Sequence, residues 1–124
     1  MLKDKKIGVL GLAFKQNTDD VRSSPAIDLC QRMIKEGAVL RVFDPKGMDK
    51  ARAVLPDVTY VEDMNDVATG CDAIVVATEW DEFKKLDLER SRKALSAPIM
   101  FDGRNLFDPQ EMEKLGWIYK SIGR

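Results

Sequence analysis

Lys6-Ile7-Gly8-Val9-Leu10-Gly11-Leu12-Ala13-Phe14-Lys15-Gln16-Asn17-Thr18-Asp19-Asp20-Val21-Arg22 is the stretch whose reading decides the fold. Lys6 to Leu10 reads as a short apolar strand, stopped by Gly11. The loop after it starts like a glycine-rich dinucleotide fingerprint, but Ala13 and Gln16 stand where the second and third glycines would be. A helix start comes only at Ser24-Pro25, with Ser in the N-cap place and Pro at the first helical position. The tight turn that aims a helix N-terminus at a pyrophosphate is therefore missing.

Working outward, Ala26, Ile27, Cys30, Met33 and Ile34 recur at helical spacing until Gly37 closes the helix. Val39 to Phe43 is a second strand, ended by Asp44-Pro45. Met48 to Leu55 reads as a helix, Val58 to Val61 as a brief strand and Met64 to Thr69 as a short helix. Ala73 to Ala77 is a continuous, largely β-branched run, as a strand covered on both faces requires. Ile99 to Phe101 and Trp117 to Tyr119 read as the last strands, with Asp108-Pro109 opening the helix between them. Alternating strands and helices imply parallel pairing with right-handed crossovers. The expected fold is a single α/β domain over residues 1–124: a Rossmann-like doubly wound sheet in the order 3-2-1-4-5-6, in three α/β/α layers.

Composition narrows the function. Twenty basic and 21 acidic residues leave a net charge of −1. They are spread along the chain, which argues against a nucleic-acid or membrane-surface partner. A phosphate ligand stays open, since backbone amides and one or two cations suffice to hold one. No histidine is present, and the two cysteines lack metal-ligand spacing. A zinc site and a Ser-His-Asp or Cys-His nucleophile are thereby excluded, and no catalytic or metal-binding residue is assigned. Cys30 lies on the apolar stripe of the first helix, and nothing near Cys71 in the sequence would lower its pKa. The Met1-to-Lys6 segment lacks the apolar core of a signal peptide, so a reducing, cytoplasmic setting is expected.

In such a sheet, ligands bind beyond the carboxyl ends of the strands, at the switch point between strands one and four. Four loops lie there: residues 11–23, 44–47, 78–82 and 102–106. In the first, Phe14 offers a face on which a base could stack, or a side chain for the core. Lys15 suits a phosphate, and Arg22 can grip a phosphate or carboxylate through two hydrogen bonds. Thr18, Asp19 and Asp20 suit bracing of the loop. Asp44 stands where such domains place a ribose-binding acid, but Asp-Pro also starts turns, and the turn is the favoured role. Trp80 and Phe83 can either wall the site or cap the sheet end. Arg104 can reach a diphosphate or a neighbouring domain, or pair with Asp102.

The ordered set Gly11-Leu12-Ala13-Phe14-Lys15, Asn17-Thr18-Asp19-Asp20, Arg22-x-Ser24-Pro25, Asp44-Pro45, Thr78-Glu79-Trp80, Phe101-Asp102-Gly103-Arg104-Asn105 and Tyr119-to-Arg124 resembles the C-terminal domain of nucleotide-sugar 6-dehydrogenases. The resemblance spans essentially the whole chain. Asp102-Gly103-Arg104-Asn105 favours the UDP-glucose branch over the GDP-mannose and UDP-N-acetylmannosamine branches. The resemblance implies that this domain binds the UDP part of a UDP-sugar through Phe14 and Lys15. Arg104 would then lie on the substrate side of an interdomain cleft, and Arg22 near the phosphates of NAD. It further implies an N-terminal NAD-binding domain, a central helix and a catalytic cysteine motif, none of which this chain contains, in a homo-oligomeric full-length enzyme. On that expectation the chain binds but does not catalyse. The competing expectations are an autonomous NAD-binding module and an interaction module that has lost its ligand.

Overall fold

Three apolar runs build the centre of the molecule. In the computed structural model, which describes residues 2–122, they are β1 (Lys6–Leu10), β2 (Val39–Phe43) and β4 (Ala73–Val76). β1 pairs in parallel with both others, Ile7 lying opposite Leu40 on one side and Ala73 on the other. Every residue of β4 is buried, which accounts for a run without polar alternation. With β3 (Thr59–Tyr60), β5 (Ile99–Asp102) and β6 (Ile118–Ser121), the sheet has six strands in the order β3-β2-β1-β4-β5-β6. The expected order and class are met.

Two apolar layers sandwich the sheet. On one face, α1 (Pro25–Lys35) and α2 (Met48–Ala51) bring Ile27, Cys30, Met33 and Ala51 onto Val9, Leu40, Val42 and Val75. On the other, Leu10, Phe43, Ile74, Val76 and Met100 meet residues from the later crossovers, among them Val67, Phe83 and Met112. Those crossovers are short 3-10 turns at Met64–Asp66 and Asp81–Lys85, then α3 (Leu88–Ala94) and α4 (Pro109–Lys114). Among the described residues no helix is long and apolar enough to cross a membrane.

The departures from expectation have local causes. The helix from Met48 stops at Ala51 rather than Leu55; beyond it the chain continues as irregular turns whose Val54 and Leu55 amides still donate to the Ala51 carbonyl, and Pro56 bars any further helical turn. The Met64 segment makes only a 3-10 turn, capped by the Asp63 carboxylate on the Asn65 amide. α3 has no apolar stripe to announce it: in Leu-Glu-Arg-Ser-Arg-Lys-Ala the one buried residue is Ser91. It is started by Asp87, whose side chain accepts from the Arg90 amide. Gly123 and Arg124 of the closing motif lie outside the described residues.

Gly8 sits mid-strand, where glycine normally weakens a sheet. A methyl group added there would lie 2.6 Å from the Val67 carbonyl oxygen, so the crossover before β4 rests directly on the β1 backbone. Backbone atoms cannot step aside as a side-chain end can. Gly8→Ala is therefore expected to cost roughly 1–3 kcal/mol, the usual range for overpacking. Urea unfolding of the two chains measures it, and equal midpoints would refute the close approach.

Candidate functional site

The first loop is tied down along its length. Gly11 has φ 104°, and a Cβ there would meet the Thr78 Cβ at 2.4 Å, so the exits of β1 and β4 touch at the switch point. Only glycine allows both the backbone angle and the contact. The Thr78 hydroxyl donates to the Ala13 carbonyl at 3.2 Å, and Gln16 Oε1 accepts from the Asp81 amide at 3.0 Å. Gln16, standing in place of a fingerprint glycine, thus bridges the crevice that a dinucleotide would enter.

On the other flank, the Ser24 hydroxyl donates to the Leu12 carbonyl at 2.8 Å. Ser24 does occupy the N-cap position of α1, but its side chain makes no cap hydrogen bond. It fastens the loop to the helix instead. Asp44, fully buried, accepts from the Leu12 and Ala13 amides through Oδ2 at 2.7 and 2.9 Å. Its Oδ1 accepts from the Lys46 and Gly47 amides at 2.9 and 2.7 Å. Asp44 is therefore a turn-forming and loop-holding residue, turned away from solvent.

Further along, the Phe14 amide donates to the Asp20 carbonyl at 2.7 Å, which closes residues 14–20 into a lobe. The Thr18 hydroxyl oxygen accepts from the Asp20 amide, and the Asp20 carboxylate from the Arg22 amide. Asp19 pairs with Lys50 at 3.1 Å. The expected bracing by side-chain to backbone bonds is thus present for Thr18 and Asp20, whereas Asp19 instead forms an exposed ion pair. From this pinned backbone Phe14 stands 54% exposed, outside the core. Lys15 is also exposed, and it has no ion pair with any described residue.

The two arginines lie in separate hollows. Arg104, with Gln16 and Glu79, lines a cleft of about 190 Å³ between the loops after β1, β4 and β5. Its guanidinium pairs with Glu79 Oε1 at 2.6 Å, not with Asp102. Arg22 lies on the α1 side, beside Val21, Ser24, Ile27 and Val54. It grips Asp20 through two hydrogen bonds of 3.0 and 3.1 Å. Gln16 and Glu79 are participants that sequence reasoning missed. Their position in the loops at the strand ends is the signal, but their partners are distant in the chain.

Asp102 is committed elsewhere. Buried at the end of β5, it accepts from the Arg104, Leu106 and Phe107 amides and from the Tyr119 hydroxyl. The loop carrying Arg104 is therefore held as firmly as the first. Trp80 and Phe83 are 4% and 0% exposed; both belong to the core and neither walls the crevice. Burial pushes the Cys30 thiol up to about 12 and raises that of Cys71 as well. Cys71 also precedes β4, at the far end of the sheet from the crevice. Both thiols are thus buried and disfavoured as thiolates.

Residues 8–109 match the model of the UDP-glucose/GDP-mannose dehydrogenase family, UDP binding domain. That match covers well over half of the chain. The chain belongs to this family. It is 42% identical over 123 residues to the UDP-glucose 6-dehydrogenase of Rhizobium meliloti (strain 1021), covering 99% of this chain and 28% of the relative. A solved UDP-glucose dehydrogenase from the hyperthermophilic archaeon Pyrobaculum islandicum superposes with a TM-score of 0.79 at 38% identity, over 96% of this chain and 25% of that one. An NDP-N-acetyl-D-galactosaminuronic acid dehydrogenase from Methanosarcina mazei Go1 gives 0.83 at 30% identity, over 99% and 25%. The chain thus spans little more than a quarter of the length of these relatives, as their UDP-binding domain.

Within that domain the Asp20–Arg22 pair can be tested directly. The two-bond contact with Arg22 holds the Asp20 carboxyl down at about 2, against an ordinary value of 3.8. As pH falls, the unfolded chain takes up the proton before the folded one does. The contribution of the pair is hence complete above about pH 4 and lost as pH falls through 2. Carboxyl NMR should show Asp20 titrating near 2, and Arg22→Ala should return it towards 3.8. An unmoved midpoint would mean that Arg22 is not its partner in solution.

Proposed function

We propose that this chain is the UDP-holding part of an NAD-dependent UDP-glucose 6-dehydrogenase, oxidising UDP-glucose to UDP-glucuronate only together with the rest of a longer protein. The observation that carries this reading is the pinned first loop, which leaves an exposed aromatic side chain and, next in sequence, an exposed ammonium with no ion pair among the described residues at the ends of the strands. A uracil ring would stack on Phe14. The Lys15 ammonium would meet the diphosphate, and the Arg104 guanidinium, in the cleft beside Gln16, would exchange part of its pairing with Glu79 for the nucleotide.

On this reading Arg22, in its separate hollow, faces the phosphates of NAD held mainly by another domain. The N-terminal NAD-binding domain, the central helix and the catalytic cysteine motif lie outside this chain, and the full-length protein is a homo-oligomer. An autonomous NAD-binding module is disfavoured, because Gln16 and Asp44 occupy the crevice between strands one, two and four. The chain's own residues bind and orient.

Titrating the chain with UDP while following amide resonances tests the proposal. Shifts confined to residues 11–22 and 102–106 are expected at up to millimolar UDP, with NAD weaker. No response there, or a stronger response to NAD, would overturn it. Lys15→Ala is expected to weaken UDP binding by roughly 1–3 kcal/mol, about 5- to 150-fold, the range for a charge-assisted hydrogen bond. Unchanged affinity would remove Lys15 from the site.

A further inference from the structure

A Rossmann domain seats its dinucleotide on backbone N–H groups of the first strand-to-helix loop, and uses the acidic residue after the second strand for the ribose. In this chain those two parts are bonded to each other. The Asp44 carboxylate, with no exposed surface, takes both loop amides that face it, those of Leu12 and Ala13. Two further amides close on it from the other side, those of Lys46 and Gly47. Four convergent N–H groups around one buried oxyanion form the kind of nest that elsewhere binds phosphate. The wrap is tight: a Cβ on Gly47 would stand 3.1 Å from Asp44 Oδ1.

We propose that Asp44 is the specificity-determining residue of this crevice, an intramolecular anion seated where the loop amides would otherwise receive a pyrophosphate. The seat is filled from within, so nucleotide phosphates are met by side chains outside it and not by the loop backbone. The same bond withdraws the acid from any adenosine ribose. A fold built for dinucleotides is in this way restricted to ligands that need no amide cradle. The proposal is independent of the UDP reading. UDP held by Phe14, Lys15 and Arg104 acts on the loops at 11–22 and 102–106, whereas the proposal is read from the response to inorganic phosphate of residues 12, 13, 46 and 47, the last two of which lie outside both UDP loops.

Inorganic phosphate is the probe, with sodium chloride at equal ionic strength as control. In the wild-type chain the amide resonances of Leu12, Ala13, Lys46 and Gly47 should not move and should exchange slowly. In Asp44→Ala the same four should move saturably with phosphate, and Tm should rise by roughly 4 °C or more over the chloride control, since a ligand that binds only the folded state stabilises it. Wild-type amides that shift with phosphate, or a folded Asp44→Ala indifferent to it, would overturn the proposal. If Asp44→Ala does not fold in either salt, Asp44→Asn takes its place. Its side chain keeps one acceptor oxygen and leaves two amides unpaired, so phosphate must raise its Tm more than chloride does. Equal effects of the two salts would likewise overturn the proposal.

Discussion

A carboxylate that gathers backbone amides from two loops is the constraint on which the rest of this domain depends. Asp44 lies at the end of β2 and joins the loop after β1 to the turn after itself through four N–H groups. Burying an isolated charge would be heavily unfavourable. Here each oxygen receives two donors, and hydrogen bonds to a charged group contribute about 1.5–3 kcal/mol apiece. Asp102 repeats the device at the end of β5, gathering three amides and the Tyr119 hydroxyl. The two acids flank the central pair β1 and β4, one on each side in the strand order. Between them they fix the backbones of both loops that carry candidate ligand-binding side chains.

Fixing the backbone is what lets the exposed side chains act. Phe14 and Lys15 lie on a lobe closed by the Phe14 amide to the Asp20 carbonyl, so ordering them on a ligand costs side-chain freedom but little backbone entropy. The glycines in β1 and just after it serve the same end. Gly8 and Gly11 are small so that Val67 and Thr78 can approach β1, and neither opens a path to a phosphate. The loop therefore begins like a fingerprint for packing reasons and departs from it where ligand contact would begin.

Much of this was legible in the chain, and the limit has a physical form. Strand identity and order come from apolar runs separated by turn residues, signals carried within five or six positions. The place to look for a site was readable likewise, since strand ends and a switch point are properties of topology. What stayed hidden were partners far apart in sequence. Asp44 reaches amides 31 and 32 residues away, and Gln16 and Thr78 each close contacts 65 residues long. Asp102 is the instructive case, because proximity in sequence suggested Arg104 as its ion-pair partner. A buried acid is better satisfied by fixed amides than by a mobile guanidinium, so Arg104 turned to exposed Glu79. α3 escaped notice for a related reason: its buried position is a serine, which gives no hydrophobic period to read.

The arrangement also explains a division of labour. Both thiols are raised by burial, Cys30 on the inward face of α1 and Cys71 at the end of the sheet remote from the crevice. The two buried carboxylates at the strand ends, Asp44 and Asp102, are saturated with donors, and an acid already accepting four hydrogen bonds cannot serve as a general base without dismantling its own support. Of the acids exposed at the cleft, Glu79 is engaged by Arg104 and Asp81 lies 3.8 Å from the Lys84 ammonium. Groups that rigidify a binding surface are thus the same groups that would have to be freed for chemistry. A domain built this way gains a preorganised surface at the strand ends, and freeing any of these acids for chemistry would loosen that surface.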